Sequence, residues 1–243
     1  MNTPDIGEQA ISKAAEVGIE SQLDEVDNLD VDIRANPLEL AGGKIESVTI
    51  DGKGMVMQDD LRAERLILQT DEIAIDAMKA AFGNIEMTHE TNAEAKIVLL
   101  DEDIQRAFNS EYVEARLKDQ KIEIDGETLT VNASNVKFDL PGEDKIFLSA
   151  DLDIAESQTT KQISLSAKPV LDANGNKIAI ADVEYHNDEN AAFARSLIES
   201  TEKLLDLRNF EPDSISFRIK KLDVCKGKII MAADATVREF PGN

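Results

Sequence analysis

Apolar residues recur along this chain with two different periods, and each change of period marks a change of element. A step of three or four predicts a helix, and strict alternation predicts a strand with one buried face. Ile6, Ala10, Ala14 and Val17 recur at helical steps, with Ile11 and Ala15 alongside. Thr3 is placed to cap that helix and Pro4 suits a first turn, so an N-terminal helix is expected over residues 3–24. A second helix is expected from Asp101, with Asp101 as its cap and Glu102 and Asp103 at the positive end of its dipole. Its apolar side carries Ile104, Phe108 and Tyr112, with Ala107, Ala115 and Leu117 beside them. A third begins after Asn187-Asp188, where Phe193, Leu197, Thr201 and Leu204 follow at steps of four and three. Its wide apolar arc predicts cover from more than one surface.

Between these helices the period falls to two. Lys44–Ile50, Leu66–Thr70 and Ile73–Ile75 alternate, with Asp51-Gly52-Lys53-Gly54 expected to turn the chain after the first. Four later hairpins are predicted from strand pairs flanking turn signals. Ile122–Ile124 and Leu129–Val131 flank Asp125-Gly126, and Val136–Leu140 and Ile146–Ile154 flank Pro141-Gly142-Glu143. Ile163–Leu171 and Lys177–Val183 flank Asn174-Gly175, and Ile215–Val224 and Lys228–Val237 flank Lys226-Gly227. Consecutive hairpins mean antiparallel pairing, and helices do not alternate one-to-one with strands, which argues against a parallel doubly wound sheet. The expected class is α+β: a large antiparallel sheet of consecutive hairpins packed around about three helices. No linker rich in Pro, Gly or Ser divides the chain, so residues 1–243 are expected to form one domain.

Charge narrows the functional classes. The chain has 26 basic and 49 acidic side chains, a net charge of −23. A nucleic-acid partner needs concentrated positive charge, and base stacking needs aromatics; aromatics are 4% here and Trp is absent. The longest apolar run, Ile229–Ala233, is far short of the roughly 20 residues of a membrane-spanning helix. The start, MNTPDIGEQAISKAAE, has neither a basic opening nor an apolar stretch of signal length. Cytoplasmic residence is therefore the expectation.

Catalytic chemistry finds no signature. Cys225 is the sole cysteine and reads as a strand residue, and His89 and His186 belong to no zinc pattern. There is no nucleophile elbow, phosphate loop or dinucleotide-binding turn. The acidic runs Asp24–Asp32 and Asp172–Lys177 do not place oxygens and glycine at calcium-loop spacing. No enzyme activity, metal or cofactor is expected.

Residues 36–76, NPLELAGGKIESVTIDGKGMVMQDDLRAERLILQTDEIAID, resemble the LmeA-like phospholipid-binding family. The resemblance is carried by Pro37-Leu38-x-Leu40, the glycines before Lys44–Val48, the Ile50–Gly54 corner, and the strand through Leu66–Leu68. Leu99–Ser110, LLDEDIQRAFNS, is similar to the family's second helix start. The resemblance implies a lipid-binding role without catalysis and a tubular lipid-binding type of architecture, in which a curved antiparallel sheet wraps a helix. It adds peripheral contact at a membrane to the expected cytoplasmic location.

A lipid carrier needs an apolar lining for acyl chains and a polar mouth. The candidate lining is Ile104, Phe108, Phe193, Leu197 and Leu204, on faces that serve equally as ordinary core. Head-group or transient membrane contact is expected from Arg218, Lys220, Lys221, Lys226 and Lys228, a basic cluster straddling the last hairpin and expected to collect at one sheet end. The partner expected is a phospholipid or other acyl-chain lipid. The alternative is a protein-interaction or scaffold module with no lipid ligand.

Overall fold

A computed structural model describes residues 6–57, 60–80, 86–124, 126–204 and 215–238. The first part of the chain forms α1 (Ile6–Glu20), β1 (Asn28–Arg34), α2 (Pro37–Leu40), β2 (Lys44–Ile45), β3 (Ser47–Met57) and β4 (Leu61–Thr70). It continues through β5 (Ile73–Ala74), α3 (Ala77–Ala80), β6 (Thr91–Leu100), α4 (Asp101–Phe108) and α5 (Glu111–Leu117). Then follow β7 (Gln120–Ile124), β8 (Glu127–Gly142), β9 (Lys145–Ile154), β10 (Thr159–Leu171) and β11 (Ile178–Tyr185). A 3₁₀ turn at Asp188–Asn190 leads into α6 (Ala191–Leu204), and β12 (Ile215–Cys225) and β13 (Lys228–Val237) complete the described chain.

The class is α+β with antiparallel pairing, as the alternation and the hairpin signals require. The strands form a six-stranded sheet, β1-β3-β4-β6-β13-β12, a curled five-stranded sheet, β11-β10-β9-β8-β7, and a two-stranded ladder, β2-β5. All four later hairpins form as expected, three in the five-stranded sheet and the β12–β13 hairpin in the six-stranded one; Asp125 lies outside the described residues.

Several local expectations are corrected. Asp51–Gly54 does not turn the chain: β3 runs straight through it, with Lys53 opposite Asn28 on one side and Arg65 on the other. The glycine serves a close approach instead. Gly54 has φ +59°, and a Cβ there would lie 1.9 Å from Asp27 Oδ2. The N-terminal helix ends at Glu20, short of residue 24, and Thr3 and Pro4 lie outside the described residues. Asp101 does not cap the second helix. Leu100 holds that position, and Asp101 Oδ1 accepts only from the Glu102 amide. The helix also breaks at Asn109-Ser110, where Ser110 Oγ accepts from Val113 N at 3.3 Å and caps α5.

Two packed clusters anchor the fold. Ile11, Ala15 and Ile19, one face of α1, meet Leu29, Val31 and Ile33, one face of β1. The larger cluster joins the inner face of the five-stranded sheet to α6 and α5. Ile122, Val131, Leu152, Ile163, Leu165 and Ala167 are buried there, with Leu152 and Ala167 at 0% exposure.

The sheets are tied to each other at three places. α4 packs on β4, β6 and β8. The β10–β11 turn docks on β12: Ile219 N donates to Gly175 O at 2.8 Å, and a Cβ on Gly175 would sit 2.1 Å from the Ile219 carbonyl oxygen. The β12–β13 turn docks on β8, Gly227 N donating to Leu140 O at 3.0 Å.

Candidate functional site

Residues directly opposite in an antiparallel ladder share a face. The register of the six-stranded sheet therefore defines one face across all its strands. Leu29, Val31 and Ile33 stand opposite Gly52, Ile50 and Val48. Ile50 stands opposite Leu68, and Leu68 and Leu66 stand opposite Ala95 and Ile97. β6 then places Ala93, Ala95, Ile97 and Leu99 against Ala235, Ala233, Met231 and Ile229 of β13. Those in turn face Phe217, Ile219, Leu222 and Val224 of β12. This face is apolar from one edge strand to the other. The opposite face carries Asp30, Asp32, Asp51, Lys53, Arg65, Glu94, Lys96, Arg218 and Asp234, with Ile67, Val98 and Ile230 among them.

The apolar face has a shape as well as a composition. Ala93, Ala95, Ala233 and Ala235 meet at one end of β6 and β13, so the floor is low there, and it rises toward Ile97, Leu99, Ile229 and Met231. Leu68 on one side and Phe217 and Ile219 on the other stand higher. The result is a trough along β6 and β13. From Ala93 to Leu99 it runs about 20 Å, at roughly 3.4 Å per residue.

Its packing differs from that of the five-stranded sheet. There the central inner side chains, Val131, Ala150, Leu152, Ile163, Leu165 and Ala167, are buried, with Leu129, Ala133, Ile146 and Leu148 half-buried around them. In the trough, Leu66, Leu68, Ala95, Ile97, Leu99, Ile229, Met231 and Ala233 are all only half-buried, while Ala93, Ala235 and Ile219 are buried. Large side chains in a tight core touch neighbours on every side, so partial exposure of a whole apolar stripe signals incomplete cover. α1 covers the face over β1 and β3. α4 covers it at the far end of β4.

The brace formed by α4 rests on two side chains. Arg62, on the trough face of β4, donates to Asp103 Oδ2 at 2.8 Å, to Glu64 at 3.0 Å and to Asp27 at 3.1 Å. Asp103 is 2% exposed. Burial alone would lower the Arg62 pKa, but the three carboxylates outweigh it and raise it above the ordinary guanidinium value. Toward the other sheet, Gln105 accepts from Phe138 N at 2.6 Å and donates to Val136 O at 2.8 Å. The β8–β9 ladder slips between Ser134 and Lys137, and Gln105 supplies the missing partners. Both side chains lie within Leu99–Ser110, the second stretch that carries the family resemblance.

The expected lining residues are placed differently from the trough. Phe108, Phe193 and Leu197 pack against the closed core of the five-stranded sheet, with the Phe108 ring 5.8 Å from Phe138. Ile104 is half-buried on α4, and the Leu204 side chain lies outside the described residues. The trough residues Leu66, Leu68, Ala95, Ile97, Met231 and Ala233 were not among the lining residues expected from the sequence. The one available signal was alternation through Asn92–Ile97 and Ala233–Val237.

The five bases do not collect at one sheet end. Arg218, Lys220 and Lys221 lie in the middle of β12, whereas Lys226 and Lys228 lie at the hairpin turn, where Lys228 is opposite Cys225. Arg218 to Lys226 spans about 27 Å of strand. Lys220 Nζ is 2.9 Å from Asp234 and 3.6 Å from Glu94, and those carboxylates hold its ammonium above the usual lysine range. Lys221 is paired with Asp223. Arg218 lines a polar cleft of about 780 Å³ with Gln69, Asn92, Glu94, Asn176 and Asp234. Ala93, Phe217 and Ala235 also line that cleft, so it adjoins one end of the trough.

Among the described residues, no helix is long and apolar enough to cross a membrane. No curated protein and no solved structure matches the chain. A family model described as LmeA-like phospholipid-binding matches residues 3–234, nearly its whole length.

Proposed function

The chain belongs to the LmeA-like phospholipid-binding family, and from that premise we propose that it carries a phospholipid without chemical turnover, the acyl chains lying in the trough on β6 and β13. The observation that supports this reading is the contrast between the two sheets. The inner face of the five-stranded sheet is buried at its centre, whereas on the trough Leu66, Leu68, Ile97, Leu99, Ile229 and Met231 are all half-buried.

The energetics are adequate. Each buried methylene of a lipid chain contributes about 0.8 kcal/mol, so a sixteen-carbon chain gains on the order of 10 kcal/mol before ordering costs. Aliphatic walls suffice for this, and the alanine floor leaves room for a chain to lie flat. Head-group recognition falls to polar residues at an end of the trough, and of the five expected bases Arg218 is the one beside a cleft.

Native mass spectrometry after gentle purification, followed by lipid extraction, tests the reading. The expected result is a protein with a stoichiometric phospholipid and no product of its hydrolysis. Repeated recovery of lipid-free protein that also ignores liposomes would overturn it in favour of an interaction module.

A further inference from the structure

Leu38 and Met78 are the most exposed large apolar side chains described, at 86% and 74%. They lie 40 residues apart in sequence, yet the topology brings them to one end of the molecule. β2 and β5 pair with Lys44 opposite Ala74 and Ile45 opposite Ile73, the same register as Thr49 opposite Gln69 in β3 and β4. The ladder is thus the outward continuation of the β3–β4 ribbon. One step further out, Ile75 N donates to Gly43 O at 2.8 Å. α2 enters β2 at that end and α3 leaves β5 from it.

Both helices are held by side-chain caps at the protruding residue itself. Leu38 N donates to Asn36 Oδ1 at 3.0 Å, and Met78 N donates to Asp76 Oδ1 at 3.0 Å. An isolated exposed apolar residue needs no explanation, but two presented on capped turns at one tip do.

The same end of the six-stranded sheet holds Ala93, Ala235 and Phe217, the low end of the trough. Phe217 is itself exposed. The local charges select the kind of surface that fits. Lys44 is paired with Glu72 and Lys79 with Glu86, and Glu39, Asp71 and Asp76 add further negative charge. Lys226 and Lys228 lie at the opposite end, where Lys228 faces Leu100.

We propose that the α2–α3 tip is the membrane-docking surface, with Leu38 and Met78 entering a zwitterionic phospholipid bilayer at the end of the trough where Phe217 is exposed. The proposal rests on the lipid-carrying reading above and adds the surface from which the lipid is exchanged. A lipid leaving the bilayer there meets the exposed Phe217 ring and then the apolar face behind it. Each buried side chain of this size supports a partition change of roughly tenfold or more, so the contact is brief and reversible.

The test is co-sedimentation of the full-length protein with phosphatidylcholine vesicles, alongside lipid loading from detergent micelles. Leu38→Asp and Met78→Asp are each expected to weaken vesicle association about tenfold, and the double variant about a hundredfold. Loading from micelles and the melting curve stay at wild-type values, because neither side chain packs in the core. Lys226→Glu with Lys228→Glu is expected to leave association unchanged.

Wild-type vesicle binding by the double aspartate variant overturns the docking proposal while leaving lipid carriage intact. So does loss of binding on reversing Lys226 and Lys228, or tighter binding to phosphatidylglycerol vesicles that survives both aspartates. Concentration-dependent dimers abolished by Leu38→Asp would assign the tip to a second copy of the chain and equally overturn it. A wild-type protein that takes no lipid even from micelles defeats the lipid-carrying reading instead.

Discussion

Enlarging the trough floor separates a lipid site from a solid core, because the two respond oppositely to added volume. Ala95 and Ala233 face each other across β6 and β13, and both are half-buried. Ala95→Leu adds three carbons to the floor. If an acyl chain lies there, the new side chain displaces about three of its methylenes, a loss of about 2.4 kcal/mol at 0.8 kcal/mol each. That is roughly a fiftyfold loss of lipid affinity at 1.4 kcal/mol per tenfold. Stability of the lipid-free protein should be unchanged or slightly higher, since the added carbons fill space left open. Ala167 is the control: it is 0% exposed in the closed sheet. Ala167→Leu overpacks that core and should cost about 1–3 kcal/mol, with lipid affinity barely altered. Affinity is read by titration with a fluorescent phospholipid, and stability by urea unfolding of delipidated protein. If Ala95→Leu destabilises as much as Ala167→Leu and binds lipid as wild type does, the trough is ordinary core and the reasoning fails.

Three further outcomes follow from the geometry. Asp103→Ala leaves Arg62 partly buried with only Glu64 and Asp27, and should cost about 3 kcal/mol in urea unfolding, the lower end for a broken buried pair; a loss under 0.5 kcal/mol would show that α4 needs no such brace. Gly175→Ala should destabilise far more than Gly126→Ala, and speed exchange of the Ile219 amide, because both glycines have positive φ but only Gly175 meets a backbone oxygen; equal losses would refute docking of the turn. The Arg65 hydrogen bond outweighs partial burial and holds Asp51 below the usual carboxylate range, and the Lys177 and neighbouring backbone amides do the same for Asp172. Between the folded and unfolded values the unfolded chain binds more protons, so the stability these groups give is full above about pH 4 and is lost as pH falls through the lower folded values. Asp51→Asn with Asp172→Asn should flatten that acid slope of the urea midpoint, and an unaltered slope would contradict the assignment.

The hairpins were legible because the residues that make tight turns, such as Asn174-Gly175 and Lys226-Gly227, stand between alternating runs. Alternation says which residues share a face but not which strands are neighbours, so the pairing of β6 with β13 was out of reach. The same limit hid Asp103. Read alone, it is one of three acids at a helix start, and its partner Arg62 lies 41 residues away. The lining assignment followed two helix faces, those bearing Phe108 and Phe193, and the structure packs both of these large side chains against the core of the five-stranded sheet. The trough depends on small ones, and an alanine in an alternating strand gives no sign of being a floor. The basic cluster shows a further limit: sequence proximity across a turn says nothing about the carboxylates of β6 and β13 that pair with Lys220.

The strands of the trough floor also set an order of events during synthesis. Asn92 and Thr236, hydrogen-bonded side by side, are 144 residues apart, and the whole five-stranded sheet is encoded between them. That sheet closes by nearest-neighbour hairpins and can form as the nascent chain emerges. β6 cannot: it waits with one edge unpaired until β13 leaves the ribosome, about 7 to 30 seconds later at 5–20 residues per second. During that interval Asn92, Glu94 and Lys96, alternating with the floor residues, are the polar guards against pairing with a neighbouring chain.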